Sequence, residues 1–308
     1  MSTISRTTRF GRLMTAMITP FTRDGEIDLD GAVELAHYLV AHGNDGLVVC
    51  GSTGESSVLS DDERVALWEA VTQAVDVPVI AGSTSNDTIH SVGLTKRAEA
   101  AGVAGILAVT PYYNRPAQSG IEGHFRAIAQ ATSLPVILYD IPIRSGRKIA
   151  NETVLRLIAS EANVIGLKDA TGDPVTTAKL MNLAPDDFEI YCGDDGLTLP
   201  FLSIGAVGLI SVAAHWVGGE CKEMIELFLA GKVDEAVEIN RALIDSFTFE
   251  SSDDGPNPVP TKEMMRVLNL PGGSCRLPLG EAPAGLYERA EQVNFDLETW
   301  RKTRGLHA

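Results

Sequence analysis

At 308 residues the chain can bury a substantial core as one large domain, and its 44% hydrophobic content includes no apolar run of about eighteen or more, which excludes a helical membrane span. A formal net charge of −16 argues against nucleic acid or an anionic membrane as partner, since both need a basic surface, so a small anionic substrate would have to meet individual arginines. Cys50, Cys192, Cys221 and Cys275 form no C-x-x-C pair, which argues against a zinc site or a disulfide framework and leaves them as packing residues.

The opening residues, Met1 to Phe10, lack the apolar core of a secretory signal and read as a short arm of a cytoplasmic protein. From there to about residue 212, short apolar runs alternate with helix-like segments. The runs predict strands at Met14–Thr19, Gly46–Cys50, Val77–Gly82, Gly105–Val109, Val136–Tyr139, Val164–Lys168, Glu189–Cys192 and Gly208–Val212. Between them, apolar residues at helical spacing predict helices at Leu29–His42, Asp61–Val75, Thr88–Ala101, Gly120–Thr132, Asn151–Glu161 and Pro174–Leu183. This alternation predicts a parallel sheet with helices outside, and a count of eight strands closes it into a (β/α)8 TIM barrel.

A weak repeat supports the barrel. Segments starting at Gly43, Gly102 and Gly205 share a G-x-x-G-apolar pattern, in which the first glycine suits a left-handed helix C-cap and the second starts a strand. Val77-Pro-Val-Ile and Leu134-Pro-Val-Ile form a second recurring strand start. After residue 213 the pattern becomes helix on helix: Gly219–Ala230 and Val233–Phe249 broken at Gly231, a proline-rich loop at Ser251–Pro260, then Thr261–Leu268 and Ala284–Lys302. The expected organisation is a barrel over 1–218 with a C-terminal helical region over 219–308.

The carboxyl ends of the strands are where barrels of this type keep their chemistry. The sixth run ends on Lys168, followed by Asp169 and the turn former Gly172. An ammonium buried there would lose charge to desolvation and become a nucleophile toward carbonyls; a lysine snorkelling from a strand end would fit the stretch equally. The second run leads into Gly51-Ser52-Thr53-Gly54-Glu55, a turn able to offer N–H and O–H donors to a carboxylate or to be an ordinary strand-to-helix connection. No Gly-Lys-Ser/Thr follows, so it is not a nucleotide phosphate loop. Tyr112 and Tyr113, adjacent in a proline-bounded loop, cannot both face one core. Tyr139 could relay protons and Arg144 could hold a carboxylate, or each could be packing and solvated charge. Asp194 and Asp195 would point to opposite faces of a strand, which argues against a shared-proton dyad, and Asp195 could cap the following helix. The histidines show no ligand spacing, so no metal is expected.

Taken together, a lysine, two hydroxyls, a tyrosine and an arginine fall at one end of the predicted barrel. With G-S-T-G-E at 51–55, T-P-Y-Y-N-R-P at 110–116, Y-D-I-P-x-R-S-G at 139–146 and G-L-K-D-A-T-G at 166–172, the chain resembles the dihydrodipicolinate synthase and N-acetylneuraminate lyase family of Schiff-base aldolases over nearly its whole length. Arg144 and the segment Pro256 to Lys262 place the resemblance on the synthase side. It implies that Lys168 forms an imine with pyruvate, whose enamine attacks the aldehyde of aspartate semialdehyde, with no cofactor. It further implies that Tyr139 shuttles protons, that the hydroxyls of Ser52 and Thr53 bind the pyruvate carboxylate and link Tyr139 to Tyr113 of a neighbouring subunit, that Arg144 holds the semialdehyde carboxylate, and that main-chain groups of Gly193 and Ile210 line the pyruvate pocket. A homotetramer built of two dimers is the implied assembly.

Two positions depart from the family pattern. Ser52 stands where synthases usually carry threonine, in a form also common among the lyases, and it keeps the hydroxyl. In relatives inhibited by lysine, the effector pocket has histidines just after the turn and a glutamate on the next unit; here Asp61, Arg64 and His90 stand there, although Asn86 and Tyr112 are retained, which implies weak or absent inhibition. The competing reading within the fold is an aldolase or dehydratase that releases pyruvate from a keto sugar acid, against which Arg144 argues, because a polyhydroxylated chain needs neutral partners. A non-catalytic barrel binding keto acids as a sensor would not depend on Lys168.

Overall fold

The computed structural model describes residues 8–250 and 255–305. Eight parallel strands close into a barrel in sequential order: β1 (Leu13–Ala16), β2 (Gly46–Val49), β3 (Val79–Ala81), β4 (Gly105–Val109), β5 (Val136–Asp140), β6 (Val164–Asp169), β7 (Glu189–Cys192) and β8 (Gly208–Ser211), with β8 pairing back onto β1. The predicted (β/α)8 TIM barrel with added C-terminal helices is the fold. Each strand is short and apolar because it is buried on both faces, inside against the barrel axis and outside against helices. Two packed cores follow from the alternation of side chains. Leu138, Leu167, Ile190 and Leu209 point outward into the layer under the helices, while Met14, Val48, Ile80, Leu107, Ile137, Tyr139, Tyr191 and Ile210 fill the barrel itself.

The helices between strands are α1 (Leu29–Ala41), α2 (Asp61–Ala74), α3 (Thr88–Ala100), α4 (Gln118–Ala129), α5 (Pro142–Ser145), α6 (Asn151–Ser160), α7 (Pro174–Met181) and α8 (Thr198–Ser203). Local chemistry fixes their starts. Asp28, Asp87 and Asp173 cap α1, α3 and α7 with side-chain oxygens, and Ser60 and Glu63 form a reciprocal capping box on α2. Their ends use the repeat seen in the sequence: Gly43, Gly102 and Gly205 all have φ between +83° and +101°. The paired glycine is needed for space. A Cβ on Gly105 would lie 2.7 Å from Cζ of Phe10, and one on Gly208 would lie 2.0 Å from the Arg12 carbonyl, because the N-terminal segment crosses the barrel mouth there.

The remaining helices are α9 (Ala214–Leu229), α10 (Val233–Phe249), α11 (Val259–Val267) and α12 (Leu286–Thr303). Helix α9 begins earlier than the spacing predicts and changes direction at Val217, whose φ of −127° and ψ of 30° are not helical. Helix α11 begins inside the predicted proline-rich loop, since Pro260 sits in the first turn, where its missing N–H costs no hydrogen bond. Residues 251–254 of that loop lie outside the described residues. The first strand stops at Ala16 rather than Thr19, although Met17 still donates to the Val48 carbonyl at 3.0 Å. Four cysteines are free and buried, and among the described residues no helix is long and apolar enough to cross a membrane.

Candidate active site

A register irregularity sets the site. Strands β5 and β6 pair Val136 with Val164 but Ile137 with Gly166, so one residue, Ile165, is absorbed in the bulge. Without it Tyr139 would sit beside Leu167; with it Tyr139 pairs with Lys168, and both point into the barrel. The Lys168 ammonium lies 4.6 Å from the centre of the Tyr139 ring. On the other side, at the end of β7, Gly193 gives the lysine room, since a Cβ there would fall 3.0 Å from Lys168 Cε and 3.0 Å from Ala170 Cβ.

Lys168 is 4% exposed, and burial is the main force on it, pulling its pKa down to about 8. The carboxyl groups of Asp195 and Glu250 oppose that pull. At pH 7.5 such a lysine is neutral roughly a quarter of the time, against about one part in a thousand for an ordinary one. Snorkelling is therefore the wrong description of this residue. Tyr139 is raised to about 12 by burial, partly offset by Arg144 and by a hydrogen bond with Ser52, so its phenol keeps its proton at neutral pH.

The turn after β2 begins with Cys50 at φ 60° and ends with Glu55 at φ 54°. It fits against β3 only because Gly82 lacks a Cβ, which would lie 2.2 Å from the Cys50 carbonyl. Ser52 on this turn reaches Tyr139, and Thr53, 4% exposed, accepts a hydrogen bond from Asn257 at 2.9 Å. A cleft of about 260 Å³ opens from the turn, lined by Ser52, Thr84, Tyr112, Ile141 and Arg144 among others. Arg144, on α5, donates to the Asn257 carbonyl at 3.2 Å and its charge acts on both Tyr139 and Lys168. Ile210 lies fully buried inside the barrel on β8. Seven of the eight residues read from the sequence thus converge on the carboxyl end. Tyr113 does not join them within one chain: it has φ 72° and is 90% exposed, while its neighbour Tyr112 lines the cleft.

Two acidic features differ from the sequence reading. Asp194, not Asp195, caps the turn after β7, accepting from the Gly196 N–H. Asp195 is buried and accepts from the Ser211 hydroxyl and the Val212 N–H, tying the end of β7 to β8. Its acidic partner is Glu250, at the end of α10, whose carboxyl is pushed well up by burial and by Asp195, with which it hydrogen-bonds. The sequence reading missed Glu250, Asn257 and the buried pair of Glu55 with Lys262 at 2.6 Å. The only available signal was the Pro256 to Lys262 segment itself.

The fold and the place of Lys168 define a class: (β/α)8 barrels with a buried lysine near the carboxyl end of the sixth strand. Within it, the chain belongs to the dihydrodipicolinate synthetase family, whose family model matches residues 9–293. It is 49% identical over 275 residues to the 4-hydroxy-tetrahydrodipicolinate synthase of Moorella thermoacetica, covering 88% of this chain and 92% of that protein. To the 4-hydroxy-tetrahydrodipicolinate synthase of Bacillus subtilis it is 45% identical over 272 residues, covering 88% and 93%. The crystal structure of DHDPS from Cyanidioschyzon merolae with lysine bound matches with a TM-score of 0.92 at 40% identity, covering 94% of this chain and 99% of that one.

Proposed function

We propose that the chain condenses pyruvate with L-aspartate 4-semialdehyde to give 4-hydroxy-tetrahydrodipicolinate and water, in lysine and diaminopimelate biosynthesis. The observation that carries the site assignment is the pairing of a desolvated Lys168 with Tyr139 inside the barrel. The neutral amine adds to the ketone of pyruvate, and loss of water leaves an imine. Loss of a methyl proton gives the enamine, whose carbon attacks the aldehyde. The Tyr139 phenol supplies the proton taken up by the new alkoxide, and its hydrogen bond to Ser52 is the path for that proton's return. The amino group of the second substrate then displaces the lysine from the imine carbon, closing the ring and freeing Lys168. No step calls on a cofactor.

Thr53 and Ser52 take the pyruvate carboxylate, with Gly193 and Ile210 bounding that pocket, and Arg144 takes the semialdehyde carboxylate. A guanidinium at the cleft favours this substrate over a polyhydroxylated sugar acid. Tyr113, held outward, completes the Ser52–Tyr139 relay of a second copy, which makes a dimer the functional unit and a pair of dimers the assembly. Lysine inhibits weakly or not at all: Asp61 is engaged by His90 at 2.9 Å, and Arg64 contributes a buried guanidinium that repels a lysine side chain. Inhibition at low micromolar lysine would defeat that last statement. The reaction itself is tested by supplying both substrates to the purified protein and following the product through a coupled reductase. Turnover with keto sugar acids and none with the semialdehyde would move the assignment to the lyases.

A further inference from the structure

The segment from Gly255 to Lys262 lies against the carboxyl end of the barrel, and one residue of it touches both halves of the site. Asn257 donates from Nδ2 to Oγ1 of Thr53 at 2.9 Å, and its main-chain carbonyl accepts from Nη2 of Arg144 at 3.2 Å. The two contacts use different atoms. The segment is anchored by the ion pair of Lys262, on α11, with Glu55, where both side chains are at most 2% exposed. The second Glu55 oxygen accepts the Arg276 N–H at 2.9 Å. Since Glu55 closes the turn that carries Ser52 and Thr53, the turn and the segment are locked to one another, and a buried pair of this kind is costly to break.

The direction of the Thr53 hydrogen bond has a chemical consequence. An amide N–H can only donate, and a hydroxyl has one proton. Among the described residues Asn257 is the one side-chain partner of Thr53 Oγ1, so a lone pair is engaged and the proton is left for an acceptor. A carboxylate is an acceptor only. We propose that Asn257 is a positioning residue that sets the polarity of the Thr53 hydroxyl toward the keto-acid carboxylate, while its carbonyl seats Arg144 for the second substrate. This rests on the assignment of Thr53 to the pyruvate carboxylate.

Substitution separates the two roles, because every replacement keeps the carbonyl. Asn257→Asp has nearly the same shape but reverses the polarity: its carboxylate draws the Thr53 proton to itself and sets a negative charge beside the substrate's. Asn257→Ala removes the donor without adding charge. The experiment traps the pyruvate adduct with borohydride, without aldehyde, and reads its mass against pyruvate concentration; the KM for the semialdehyde is measured separately. Half-saturating pyruvate should rise at least about tenfold in N257D and by less in N257A, with the semialdehyde KM moving less than about twofold. In a Thr53→Val background N257A should add nothing further.

Unchanged pyruvate dependence in both variants would overturn the inference. So would parallel shifts for the two substrates, or additivity with T53V, since either is what a merely structural role gives. If N257D fails to fold, N257A and the T53V cycle still decide. A wild-type chain that forms no borohydride-trapped adduct overturns the Schiff-base reading itself, and that failure is recognised before any Asn257 variant is made.

Discussion

The two ends of the barrel interior share eight strands and treat buried polar groups in opposite ways. At the amino end Phe10 packs across the opening, and the Tyr191 hydroxyl is shared between Glu189 Oε2 at 2.9 Å and the Gly11 carbonyl at 3.0 Å. The other Glu189 oxygen accepts the Arg9 N–H at 2.7 Å, and Arg12 donates to the Val207 carbonyl at 2.9 Å. Each of these groups finds its partner within the chain. Burial and the adjacent Glu189 raise the Tyr191 pKa, so this phenol does not ionise in any working range. At the carboxyl end burial instead pulls Lys168 toward its neutral form, and Ser52 lines a cleft. A polar group satisfied by the fold is structure; one left to be satisfied by another molecule is where chemistry can occur.

The sharpest way to break this contrast is Lys168→Ala. Removing the amine should lower turnover by at least about three orders of magnitude and abolish the borohydride-trapped pyruvate adduct, with the circular dichroism spectrum unchanged. An active K168A protein would place the nucleophile elsewhere. Next in size is Gly193→Ala. Its methyl would fall 3.0 Å from Lys168 Cε, 3.1 Å from Lys168 Cγ and 3.0 Å from Ala170 Cβ, so the lysine must move off its line with Tyr139. Contacts of this length require the neighbours to give by a few tenths of an ångström, and since about 1 Å at a reacting group costs on the order of a hundredfold, a fall of about tenfold or more should appear in kcat with the fold retained. Wild-type kcat in this variant would mean that the close packing around the lysine has no role.

Most of the barrel was legible in the sequence for a physical reason. Strands buried on both faces are runs of apolar residues, and β4 and β7 have the very bounds that their runs predict. The glycine pairs were legible too, because a left-handed cap and a close backbone approach both exclude side chains. What escaped has no period. The bulge at Ile165 decides whether Lys168 or Leu167 lies beside Tyr139, yet an apolar run looks the same in either register. The bond from Asn257 to Thr53 joins residues 204 positions apart, and neither side chain hints at the other. Helices α5 and α8, of four and six residues, are too short for helical spacing to register. The site residues were legible as types at strand ends; their electrostatics waited on burial.

A smaller effect comes from pH. The nucleophile is the neutral amine, and Lys168 has its pKa lowered to about 8, so protonation as pH falls below that value removes it. Initial rates of imine formation at subsaturating pyruvate should drop about tenfold per pH unit below 8 and level off above it. A flat profile from pH 6 to pH 9 would mean that the lysine is not held as the structure holds it.

The smallest effect on activity, and the clearest control on the contrast, is expected from Tyr191→Phe. Tyr191 pairs in register with Lys168 on the neighbouring strand, so its Cα is close to the site, but its hydroxyl serves the closed end. Removing that hydroxyl leaves Glu189 Oε2 and the Gly11 carbonyl short of a donor in a buried setting. The cost should be about 1–3 kcal/mol, or about 2–4 °C in Tm for each kcal/mol, while kcat and both KM values stay within about twofold. Thermal unfolding and steady-state kinetics on the same sample separate the two. A loss of Tm with kinetics intact means that the amino end is a plug whose polar groups are internal to the fold. A tenfold fall in kcat at unchanged Tm would mean that the lysine feels this phenol through the shared strand pair, and the two ends would have to be treated as one electrostatic unit.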